Sequence, residues 1–94
     1  MSKYYVEVDS YWQNSQSLFI GPFLSEEQAE RYTENSNAVR YDHTARNVRH
    51  NIRYQIRNTT QARRAGMNEQ NTLPTNTVAM PNDTADLTRL QNEM

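Results

Sequence analysis

Cysteine is absent from the 94-residue chain, which excludes a disulfide framework and any thiolate metal site. Glycine occurs only at Gly21 and Gly66, too sparsely for the glycine loops that cradle phosphates. No apolar run approaches the roughly 20 residues of a membrane span. Large apolar residues are scarce too: Leu, Ile, Val and Phe supply 15 residues, under a fifth of the chain and near the border of disordered composition. A net charge of −1 weighs against full disorder, because disordered chains usually carry high net charge. Ordered-looking patterns with so thin a core imply that part of the burial lies between chains, so a homo-oligomer is expected.

The opening MSKYYVEVDS enters a strand pattern with no signal-peptide hydrophobic stretch, and a cytoplasmic location is expected. Two glycosylation sequons, Asn58-Thr59-Thr60 and Asn82-Asp83-Thr84, carry no weight without secretion. No serine sits in a nucleophile-elbow context, and the acids fall at capping and surface positions. His43 and His50 lie seven residues apart with no third ligand, which is read as two solvent-facing histidines and no metal site. The expectation is a protein that is not an enzyme and carries neither cofactor nor metal.

What the chain does have is charge sorted into blocks. Residues 1–39 carry −4, residues 40–64 carry +6, and residues 65–94 carry −3. The stretch Arg40–Gly66 holds seven of the nine arginines and both histidines, and only one acid, Asp42. A concentration this local needs a partner, inside the molecule or outside it.

Before that stretch, Tyr4, Val6 and Val8 alternate with Tyr5, Glu7 and Asp9, the pattern of a half-buried strand. A second strand over Ser17–Ile20 would complete an antiparallel hairpin, with Trp12 in its loop folded onto the sheet or placed at an interface. Gly21-Pro22 is read as a turn. Ser25 then caps a helix to about Glu34, with Gln28 closing a capping box, Leu24 stapling onto Ala29, and Ala29 and Tyr32 buried. A short strand at Ala38–Tyr41 precedes the basic stretch.

At 100° per residue, Tyr41, Ala45, Val48, Ile52 and Ile56 form one apolar stripe, and Arg46, Arg49, Arg53 and Arg57 form a second. His43, Asn47, His50 and Tyr54 form a third. The reading preferred on this spacing is one long amphipathic helix from about Asp42, its N-cap, to Asn58, with Gly66 as the natural C′ residue if it continues. The competing reading is a strand at Asn51–Asn58, where Ile52, Tyr54 and Ile56 alternate with Arg53, Gln55 and Arg57. Under it, Asn58-Thr59-Thr60 caps a second short helix to Ala65.

The fold class expected is therefore α+β: an N-terminal antiparallel hairpin, a short helix, a long basic helix and an extended C-terminal arm. Residues 1–66 would form the domain and residues 67–94 a polar arm or tail, with a last short helix over Asp83–Asn92.

Arginine outnumbers lysine nine to one, and guanidinium suits bidentate recognition of phosphate or carboxylate. Arg46, Arg49, Arg53 and Arg57, with His50, Asn47 and Tyr54 beside them, are the candidate ligand-binding residues. The ligand expected is a nucleotide or nucleic acid, with an isoelectric point near 6.1 favouring the bounded nucleotide. Two alternatives stand against it. The arginines could pair with Glu26, Glu27, Glu30 and Glu34 of the first helix, or with the acidic tail, and bind nothing. They could instead face an acidic protein, as in a viral or plasmid-borne inhibitor or another mobile-element accessory protein.

Overall fold

A computed structural model describes residues 2–10, 17–49 and 51–77. Six strands form one mixed sheet, flanked by two short helices. The strands are β1 (Tyr4–Ser10), β2 (Leu18–Phe23), β3 (Val39–Tyr41), β4 (Thr44–Asn47), β5 (Ile52–Asn58) and β6 (Thr72–Leu73). The helices are α1 (Glu26–Asn35) and α2 (Thr59–Arg64). Across the sheet the order is β3-β4-β5-β1-β2-β6, antiparallel throughout except for the parallel β2–β6 pair.

Alternation divides the sheet into two faces. Val6, Val8, Ile20, Ala45, Ile52, Tyr54 and Ile56 point to the face that α1 covers, and with Phe23 and Ala29 they form the core. Tyr32 of α1 meets the rings of Phe23 and Tyr54 at centroid distances of 5.6 and 6.4 Å. Phe19 and Ala62 are fully buried outside that cluster, Phe19 on the opposite face from its neighbour Ile20. There α2 packs on β5 and β1.

The long basic helix over 42–58 does not form, and with it goes the expected α+β arrangement of hairpin, short helix, long helix and arm: the chain is mostly sheet. Its place is taken by β4, a turn and β5. Two residues show why. Asp42, expected as N-cap, has φ 53° in the turn between β3 and β4, and Asn51 has φ 55° just before β5. Left-handed backbone interrupts a right-handed helix, and Asn and Asp adopt it more readily than other residues with side chains. Burial decides the remainder. Tyr41 and Val48, two of the five residues in the apolar stripe, are 66% and 74% exposed, whereas the alternating set Ile52, Tyr54 and Ile56 is buried. A two-residue period buries three large side chains against β1, and the helical period would have buried different ones.

The competing strand reading matches β5, and α2 follows it with the capping box of Asn58 and Gln61. Gly66 is indeed a C′ residue, with φ 104°, but it terminates α2. Gly66 N–H donates to Arg63 C=O and Met67 N–H to Ala62 C=O.

The first helix stands close to its expected bounds. Ser25 Oγ accepts from the Gln28 N–H, while Gln28 Oε1 reaches the Leu24 N–H instead of closing the box on Ser25. Leu24 is exposed, so it forms no staple onto Ala29. Gly21-Pro22 is not a turn: β2 runs through it with a cis peptide and a shifted register against β1. A Cβ on Gly21 would come within 2.5 Å of the Tyr5 ring, so glycine lets that ring lie flat on the strand.

Of the polar arm, residues 67–77 return to the sheet as β6. Asn71 supports this return by donating to Gly66 C=O and accepting Phe19 N–H on its own carbonyl. Trp12, His50 and the last helix expected over Asp83–Asn92 lie outside the described residues.

Candidate phosphate-binding face

Away from α1, the strands β3, β4, β5 and β1 present a second face whose residues follow from alternation and register. Val39 stands opposite Arg46, and Arg46 opposite Arg53, which is itself opposite Asp9. In the next row Tyr41, Thr44, Gln55 and Glu7 are neighbours, and beyond them Arg57 faces Tyr5. Three of the expected arginines therefore share one face, brought together by strand period rather than helical period.

Their pairing is specific. Arg53 Nη2 donates to Asp9 Oδ2 at 3.0 Å, and Arg57 Nε donates to Glu7 Oε1 at 2.8 Å. Both carboxylates come from β1, not from α1 as the sequence suggested. The acids of α1 are engaged otherwise: Glu30 with Arg40 at 2.6 Å, Glu27 with Arg31 at 2.8 Å, and Glu26 with His43 at 3.0 Å. Arg46 reaches Asn51 Oδ1 at 3.5 Å, a long contact. Arg49 is exposed in the turn between β4 and β5 and has no ion pair among the described residues.

On this face Arg53 is held by Asp9 and Arg57 by Glu7, with Arg46 beside Arg53 and Arg49 at the rim. Arg46 and Arg53 are direct cross-strand neighbours.

Two other expected ligand residues, Tyr54 and Asn47, are not on this face, and His50 lies outside the described residues. Tyr54 is fully buried in the core. Asn47 is buried as well, its Nδ2 donating to Ser36 C=O at 2.9 Å, which ties β4 to the end of α1. Both were assigned by helical spacing, and strand alternation turns them inward.

Reading the segment as a helix missed Thr44, Gln55 and Tyr41 on the face, although the alternative strand had already placed Gln55 between Arg53 and Arg57. It also missed a notch at the free edge of β5. Pairing of β4 with β5 ends at Thr44 and Gln55, after which Ile56 N–H donates to His43 C=O. Beyond that point β4 is gone, and a cavity of about 290 Å³ opens between β5, the β3–β4 turn and the starts of the two helices. The approach of Glu26 to His43 there left no trace in the sequence pattern.

Among the described residues no cluster of acids, histidines or cysteines could hold a metal ion, and no helix is long and apolar enough to cross a membrane. Compared with protein-family models, curated proteins and solved structures, the chain matches none.

Proposed function

We propose that the protein binds a phosphate-bearing chain, a single-stranded nucleic acid, on the part of the β4, β5 and β1 face that α2 leaves uncovered. The observation that carries this reading is the juxtaposition of Arg46 and Arg53 on a solvent-facing sheet, with Arg57 farther along and Arg49 at the rim. The cross-strand guanidiniums of Arg46 and Arg53, with Arg57 beyond Gln55, suit phosphates spaced along an extended chain, and exposed Tyr41 offers a ring for a base to stack on. A flat face fits an extended strand better than a compact nucleotide. The ion pairs to Asp9 and Glu7 hold two of the guanidiniums in place and limit the net attraction, so binding is modest and strongly salt-dependent.

Fluorescence polarisation with a labelled oligonucleotide at low ionic strength tests the proposal. Arg46→Ala/Arg53→Ala removes two charge-assisted donors, each worth about 1.5–3 kcal/mol, so affinity falls by about a hundredfold or more and the salt slope flattens. Arg31→Ala/Arg40→Ala removes equal charge from the α1 side and leaves affinity within about twofold of wild type by the same reasoning. Equal losses in both pairs, or no binding by wild type, would overturn the proposal. Capture of an acidic protein by the same face would favour the inhibitor-like alternative. Self-association is a separate part of the proposal, and light scattering that reads the 11.1 kDa monomer would remove it without touching the face.

A further inference from the structure

The notch beside β5 has a composition that the arginine face does not share. Gln55 and Arg57 belong to both, so the two sites are continuous. Ile56 and Tyr4 give the notch an apolar lining, and its rim mixes donors with acceptors. His43 Nδ1 lies 3.0 Å from Glu26 Oε1, which leaves Nε2 to meet an occupant of the notch. Gln61 Oε1 is taken by the Asn58 N–H, which leaves its Nε2 group as a donor. The Gln55 amide offers both functions. Arg57 is tied to Glu7 through Nε and keeps its terminal amino groups for a second acceptor.

Charge and size narrow the occupant. The Glu26 carboxylate repels a phosphate, whereas the neighbouring arginine face attracts one. A volume of about 290 Å³ sits at the lower edge of small-ligand sites, which run to about 300–1,000 Å³. A planar group with alternating donors and acceptors on its edge and apolar faces meets all of these conditions. We infer that the notch holds one nucleobase of a strand whose phosphates cross the arginine face. This rests on the proposed function, and it adds base readout to a surface otherwise blind to sequence.

The full-length protein is titrated with a short labelled oligonucleotide and with an abasic sugar-phosphate strand of equal length. Wild type should bind the base-bearing strand at least about tenfold more tightly. In His43→Ala that difference should shrink to about threefold or less, with abasic affinity unchanged. Equal affinity for both strands in wild type, or a difference that survives in the variant, overturns the notch while leaving the arginine face standing. If neither strand binds, the face reading has failed, and free nucleosides decide the notch independently. Nucleosides should then shift the side-chain amide NMR signals of Gln55 and Gln61 but not those of Gln28 on α1. Their failure to do so overturns the inference, and circular dichroism of the variant shows whether its fold is intact.

Discussion

Removing Arg57 should destabilise the protein more than removing Arg53, although both are strand arginines paired to β1. The difference lies in how each pair meets water. Side chains of Arg57 and Glu7 are 28% and 13% exposed, against 45% and 35% for Arg53 and Asp9. Arg57→Ala leaves the Glu7 carboxylate mostly out of water with its guanidinium gone, and a lost bond to a charged group costs about 1.5–3 kcal/mol. Arg53→Ala leaves a carboxylate that water can reach, and such pairs contribute about 0–1 kcal/mol. In a domain of this size about 1 kcal/mol moves Tm by about 4–8 °C, so Arg57→Ala should lose about 6 °C or more and Arg53→Ala a few degrees. A double-mutant cycle sharpens the test. Glu7→Gln and Arg57→Ala should couple by about 1 kcal/mol or more, whereas Glu30→Gln and Arg57→Ala, which share no contact, should add to within about 0.5 kcal/mol. Thermal unfolding of the single and double variants supplies every quantity. Coupling to Glu30 rather than Glu7, or an Arg57 variant no weaker than the Arg53 variant, would refute the β1–β5 register on which the face depends.

Two further outcomes probe the turns that displaced the expected helix. Asn51→Val places a β-branched residue at φ 55° and should cost about 1–3 kcal/mol, while Asn51→Gly should be close to neutral, as chemical denaturation can show. Asn58→Ala deletes the α2 cap and should cost about 1 kcal/mol, with hydrogen exchange accelerated first at the Gln61 amide that the Asn58 side chain accepts.

Much of the first half was legible because its signals do not compete. Tyr4, Val6 and Val8 alternate cleanly, and Ser25 followed by acids and Gln28 marks a helix start with one physical meaning. The basic stretch was ambiguous for a specific reason: Ala45, Ile52 and Ile56 satisfy both a helical stripe and the inward set of a hairpin. Tertiary burial against β1 resolved the tie, since Tyr54 packs inward with Ile52 and Ile56 against Val6 and Val8. The arginines were singled out as a group by their charge but placed on the wrong element, so helical spacing grouped Asn47 and Tyr54 with them, which strand alternation turns inward. Their acidic partners could not be read locally, because Glu7 and Asp9 lie 50 and 44 residues away in sequence. Gly21-Pro22 misled in the other direction: turn chemistry in the sequence served a strand that passes beneath the Tyr5 ring.

The open face itself is tested most directly by arginine Nε–Hε NMR signals during titration with a single-stranded oligonucleotide at low salt. Arg46, Arg53 and Arg57 should shift together and saturate at one affinity, while Arg31 and Arg40 on the α1 side stay in place. Shifts spread equally over Arg31 and Arg40, or no shift at Arg46 and Arg53, would contradict the assignment of this face as a phosphate-binding surface.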